Sequence, residues 1–272
     1  MSAQFDLGTS GRIIQAATEE GRRALVGYYP VGFPDVATSF DVMSVLAEGC
    51  DLIEIGMPYS DPVMDGPVIE TAGTRALAAG VRTRDLFTAA EKLSERGASS
   101  VIMTYWNIIE RYGVDAFARD LAAAGAAGVI TPDLIPEEAE EWIAASEAHG
   151  LDRVFLVSPS SSDERIVSTV ASCRGWLYAT SVMGVTGVRA RTSSAAPRLV
   201  SRIRDLCPEV PIGIGLGVSN GEQARETAEF ADAVIVGSAL LRTMLKSQDE
   251  GRPSDTTELA ALVEDLAAGV RA

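Results

Sequence analysis

The run Ala24-Leu25-Val26-Gly27-Tyr28-Tyr29-Pro30-Val31 leads through a helical pattern over 36–48 and Gly49 into Asp51-Leu52-Ile53-Glu54-Ile55-Gly56-Met57. The outer pieces are short and aliphatic or β-branched and run into Gly or Pro, which reads as strand. The middle piece repeats its apolar residues three and four apart, which reads as helix. This βαβ texture continues outward along the chain. Short apolar runs recur at 101–106, 128–134, 153–158, 176–182, 211–217 and 233–237. Helical patterns fall at 68–79, 83–96, 114–124, 136–148, 163–172, 195–206 and 221–230, with another opening at Ser238 and a last one over 256–268. Gly49, Gly80, Gly97, Gly125 and Gly150 close helical patterns where left-handed caps are expected.

Eight strands alternating with helices over about 250 residues predict an α/β fold, a (β/α)8 TIM barrel, and the near-continuous apolar strands suit a parallel sheet covered on both faces. A doubly wound nucleotide-binding fold would have five or six strands and a G-x-G-x-x-G turn after the first. Here that strand leads into Gly32-Phe33-Pro34-Asp35. Residues 12–16 suit an extra N-terminal helix under the barrel, and Ser238 opens a short helix placed to bind phosphate after strand eight. Only a polar loop at 247–255 interrupts the pattern, so 1–272 reads as a single TIM-barrel domain.

The 272 residues carry 38 acidic and 23 basic side chains, a formal charge of −15, and are 47% hydrophobic. Such a chain can bury a large core and is not of disordered composition. Its acidic balance argues against nucleic acid and anionic membrane as partners. The start has no basic segment followed by an apolar one, and no run approaches the roughly 18 apolar residues of a membrane span, so a cytoplasmic protein is expected. Cys50, Cys173 and Cys207 are scattered and odd in number, which suggests reduced thiols and neither disulfides nor zinc. His149, the one histidine, ends a helical pattern without a second ligand and reads as structural; no metal site is predicted.

Active sites of such barrels lie at the C-terminal strand ends. Glu54 is a carboxylate in an apolar strand, sharing one face with Leu52 and Gly56 while Ile53, Ile55 and Met57 take the other. If its face is the barrel interior, desolvation raises its pKa toward that of a general acid/base; the alternative is neutralisation by a Lys or Arg on a neighbouring strand. Asp65, eleven residues on, is either turn chemistry or a second carboxylate in the same cleft. Glycines crowd the last three strand ends, at Gly184-Val185-Thr186-Gly187, Gly213-Ile214-Gly215-Leu216-Gly217 and Gly237-Ser238, where barrels bind phosphate on backbone amides. The stretch 211–240 holds one basic residue, Arg225, so an anion there is to be held by the main chain. Tyr28, Tyr105 and Tyr178 read by default as core or pocket fillers.

Ile53 through Pro67 resembles the signature of the tryptophan synthase alpha subunit family. Gly32-Phe33-Pro34, Met103-Thr104-Tyr105-Trp106-Asn107, Pro132-Asp133-Leu134, Ser158-Pro159, Gly184-Val185-Thr186-Gly187, Gly215-Leu216-Gly217 and Val236-Gly237-Ser238 follow in the family's order. Pro30 and Ser181-Val182-Met183 depart from the family pattern. The resemblance implies a lyase that splits indole-3-glycerol phosphate by retro-aldol cleavage into indole and glyceraldehyde 3-phosphate. It makes Glu54 the acid/base, Asp65 the carboxylate at the indole N–H, and Tyr178 a neighbour of the reacting hydroxyl. Tyr28 and Leu216 flank the ring, Thr186 closes over Asp65, and Gly184, Gly217, Gly237 and Ser238 bind phosphate. It also implies a beta subunit that contacts Pro58, Asp61 and Asn107 in an α2β2 assembly and carries the pyridoxal phosphate, leaving no cofactor in this chain. A stand-alone lyase releasing free indole, and a non-catalytic activator of a beta subunit, are the alternatives.

Overall fold

A computed structural model describes residues 5–180 and 195–272. Strands form at Ala24–Pro30 (β1), Leu52–Gly56 (β2), Ser100–Met103 (β3), Gly128–Ile130 (β4), Asp152–Val154 (β5), Leu156–Val157 (β6), Leu177–Thr180 (β7), Ile212–Gly215 (β8) and Ala233–Val236 (β9). All pairings are parallel, in the order β5-β4-β3-β2-β1-β9-β8-β7-β6. β5 and β6 are two halves of one stave separated by Phe155, whose carbonyl accepts the Tyr178 N–H at 3.1 Å. The first half pairs with β4 and the second with β7, a stagger that closing a barrel of tilted strands imposes. The nine pieces are thus eight staves, and the expected strand over 153–158 is broken where it changes partner.

Alternation along the staves sorts side chains into two cores. Ala24, Val26, Leu52, Val101, Val154 and Trp176 fill the barrel, joined from below by Ile14 and Ala17 of the helix Ser10–Glu19. Leu25, Ile53, Ile55, Ile102, Leu177 and Val234 face outward against the surrounding helices. Glu54, between outward Ile53 and Ile55, therefore points into the barrel on the face of Leu52.

The extra N-terminal helix is present and longer than the 12–16 stretch. Its start is capped from across the fold: Asp152 accepts the N–H groups of Thr9 and Ser10 and the Ser10 hydroxyl, the last two at 2.6 Å. The helix after β9 begins at Ser238 as expected and runs twelve residues to Asp249. A helix at Trp106–Tyr112 was not expected; its first N–H is taken by both carboxylate oxygens of Asp133, at 2.9 and 3.1 Å, a cap supplied from beyond β4. Of the predicted left-handed glycines, Gly80, Gly97, Gly125 and Gly150 have positive φ, whereas Gly49 does not. Gly49 is small for another reason, because a Cβ there would run into Val263.

Candidate active site

β1 and β2 are in register with Tyr28 opposite Glu54, so the two side chains enter the barrel side by side. Tyr28 lies in a slot made by missing side chains: a Cβ on Gly56 would collide with its phenol, and one on Gly237 would lie 3.1 Å from its ring. Across the barrel, a Cβ on Gly215 would stand 2.7 Å from the Tyr178 hydroxyl, and the Tyr178 ring stacks on Trp176 at 5.6 Å. Inward glycines on three staves thus keep room for rings at the barrel mouth, a packing task alongside the anion binding that the sequence suggested.

Glu54 is 1% exposed and its Oε2 has no hydrogen-bond partner among the described residues. Burial, and then the like charge of Asp65, push its pKa up to about 8. No cation contributes, so the neutralised-glutamate alternative finds no support among the described residues. Asp65 sits in the loop between β2 and the helix Pro67–Ala78; burial and the charge of Glu70 raise it to about 6. Burial holds the phenols of Tyr28 and Tyr178 well above their ordinary range, and Glu54 adds to both. Glu54 therefore keeps its proton to higher pH than Asp65, the kind of division between two carboxyls that acid/base catalysis uses.

Leu216 and Gly217 follow β8 at the same mouth, Gly217 with φ +70°. Gly237 caps the helix that opens at buried Ser238, whose first-turn amides face out of the helix N-terminus. Arg225 lies in the helix Gly221–Ala228, where its nearest carboxylate is Glu229 at 3.8 Å. Gly184 and Thr186 lie outside the described residues. Asp61 is exposed on the loop above β2 and Asn107 in the first turn of the helix Trp106–Tyr112, whereas Pro58 is buried within the chain's own packing. His149 is remote from the mouth and bonds Asp115 Oδ1 at 2.9 Å between two outer helices. The cysteines are free thiols, and burial pushes Cys50 and Cys173 to about 12.

By sequence Tyr105 reads only as a filler; the structure gives it partners. Its hydroxyl accepts the N–H groups of Val63 and Met64 at 3.1 and 3.2 Å, and its ring stacks on Tyr59 at 4.8 Å. The available signal was a polar-tipped aromatic just past the C-terminal end of a barrel strand.

The closed barrel and its two unequal carboxyls define the class, a (β/α)8-barrel enzyme with acid/base chemistry at its C-terminal mouth. The family model described as tryptophan synthase alpha chain matches residues 14–271. A tryptophan synthase alpha chain from Mycobacterium marinum is 55% identical over 269 residues, covering 98% of this chain and 97% of that one. A structure of Mycobacterium tuberculosis tryptophan synthase superposes with TM-score 0.90 at 53% identity over 98% of this chain and 100% of that one. A mutant tryptophan synthase alpha-subunit from Pyrococcus furiosus does so with TM-score 0.81 at 30% identity, over 90% and 98%. The chain belongs to the tryptophan synthase alpha chain family. It is a lyase that cleaves indole-3-glycerol phosphate to indole and glyceraldehyde 3-phosphate in tryptophan biosynthesis.

Proposed function

We propose that Glu54 moves the protons of this cleavage and that Asp65 holds the indole nitrogen. The bond to be broken joins indole C3 to the glycerol chain, and it resists while the ring is an electron-rich aromatic. Neutral Glu54 gives its proton to C3, producing an indolenine whose N–H carries positive character beside ionised Asp65. Glutamate, now a carboxylate, takes the proton of the neighbouring side-chain hydroxyl. The carbon–carbon electrons return to the ring, indole leaves, and the aldehyde of glyceraldehyde 3-phosphate forms with Glu54 protonated again. Tyr178 stands near the reacting hydroxyl, and Tyr28 and Leu216 flank the ring. Main-chain amides at Gly217, Gly237 and Ser238 hold the phosphate. Gly184 and Thr186 join the phosphate site and the closing loop on motif position alone.

One observation carries this reading: a glutamate buried inside the barrel mouth whose Oε2 has no hydrogen-bond partner among the described residues. The same reading treats residues 1–272 as one domain working in the cytoplasm. It docks a pyridoxal-phosphate-bearing beta subunit on the loop of Asp61 and the helix start of Asn107, with Pro58 beneath, in an α2β2 assembly. No described helix is long and apolar enough to cross a membrane. Steady-state indole release from indole-3-glycerol phosphate tests the roles. Glu54→Gln and Asp65→Asn should each lower kcat by about 10³-fold or more while glycerol 3-phosphate still binds. Normal turnover in either variant would remove that residue from the mechanism. Strong activation by an added beta subunit is expected, and fast turnover that ignores one would favour an independent lyase.

A further inference from the structure

We infer that Tyr105 is a positioning residue for the cleavage, a clamp that fixes the loop carrying Asp65. The inference rests on the reading of Asp65 given above. Asp65 belongs to the loop from Met57 to Gly66, which is interrupted by Pro58 and Pro62 and has no helix or strand of its own. Such a segment does not hold a carboxylate in place by itself, and a displacement of about 1 Å at a reacting centre can cost about 100-fold in rate. Tyr105 constrains it at two points. Near the start of the loop its ring stacks on Tyr59, interplanar angle 28°, and the Tyr59 hydroxyl is held by Asn107 Nδ2 at 3.3 Å. Near the end, its hydroxyl accepts the consecutive N–H groups of Val63 and Met64, the two residues before Asp65.

A phenol oxygen that accepts two N–H bonds has filled its acceptor capacity, and its proton must then point away from the loop backbone. Tyr105 is only 6% exposed, and the charge of Asp65 reaches its phenol. Tyr105 is itself anchored, because the next residue, Trp106, starts the helix capped by Asp133. The strand-three and strand-four ends are in this way connected to the position of Asp65 through one hydroxyl.

Tyr105→Phe keeps the ring stack and deletes the acceptor. We expect kcat to fall about 10- to 100-fold with the affinity for glycerol 3-phosphate within twofold. The acid limb of the pH–rate profile should move below 6, because a released loop admits water to Asp65 and relieves the burial that raises it. Amide hydrogen exchange across 57–66 should quicken in the same variant. A Tyr105→Phe enzyme within twofold of the parent, with the acid limb and the exchange unchanged, overturns the clamp. Asp65→Asn separates the two ideas: if that variant keeps turnover, the role of Asp65 fails, while the exchange result still decides whether Tyr105 holds the loop.

Discussion

Glu54 and Asp152 are both carboxylates on barrel staves, both all but fully buried, and they have opposite fates. Asp152, at the lower end of β5, receives the N–H groups of Thr9 and Ser10, the Ser10 hydroxyl and the Arg174 guanidinium, the last at 3.0 Å. Burial still nudges its pKa upward, yet each of those contacts pulls the other way. Glu54, near the upper end of β2, has an oxygen without a partner among the described residues and a like charge for company. The difference teaches that burial alone does not make a carboxylate reactive; the supply of donors decides. At the bottom the chain spends its own N-terminal segment on satisfying the charge. At the top it leaves the charge unfavourable, which favours the protonated form that the proposed mechanism needs.

The comparison breaks first at Asp152, where the largest stability effect is expected. Asp152→Ala strands the buried Ser10 N–H and the partly buried Thr9 N–H, and leaves Arg174 with the carboxylate of Asp6 and the Gly150 carbonyl. A fully buried pair loses about 3 to 5 kcal/mol on losing one partner; with Arg174 partly exposed, about 3 kcal/mol is expected, read by urea unfolding. Indole release per folded molecule should be unchanged. A stable Asp152→Ala protein without activity would reverse the roles assigned to the two ends.

The next effect sharpens the other side. A buried Glu54 with a pKa near 8, against 4.5 as its ordinary value, binds a proton in the folded state that the unfolded chain has already released. Stability from this residue is therefore full below the ordinary range and is lost as pH rises toward 8. Asp65 behaves likewise, but its window closes near 6. Between pH 6 and 8 the parent should thus lose about 2 kcal/mol relative to Glu54→Gln, whose amide does not ionise. Parallel unfolding curves for the two proteins across that window would mean that Glu54 is not held protonated.

What the sequence disclosed follows the range of the interactions involved. Strand and helix order is local, written in the apolar spacing of stretches such as 24–31 and 36–48, and it carried the barrel. Glu54 was visible because a charge in an apolar run violates the local pattern, though which face is inward needed the closed sheet. The break at Phe155 was invisible, since it comes from a change of partner between β4 and β7. The helix Trp106–Tyr112 was also missed, as its cap, Asp133, stands 27 residues away. Asp152 opens a strand without any sequence cue that Thr9 and Ser10, more than 140 residues earlier, are its donors. Tyr105 was named and given no task for the same reason, because its partners lie more than 40 residues back in another loop.

The smallest effect probes the donors at the bottom one at a time. Ser10→Ala removes the hydroxyl bond to Asp152 and keeps the backbone N–H bond, at a site with no solvent exposure and little volume to lose. A hydrogen bond to a charged group contributes about 1.5 to 3 kcal/mol, and the low end is expected here because three other donors remain. The sign with pH is fixed by the role of the hydroxyl, which pulls the Asp152 pKa down by favouring its ionised form. The variant should therefore be most destabilised at neutral pH, where Asp152 is charged, and less so in acid, where a protonated carboxyl no longer needs that donor. A loss that stays constant from acid to neutral pH would mean that Ser10 contributes packing and not charge compensation.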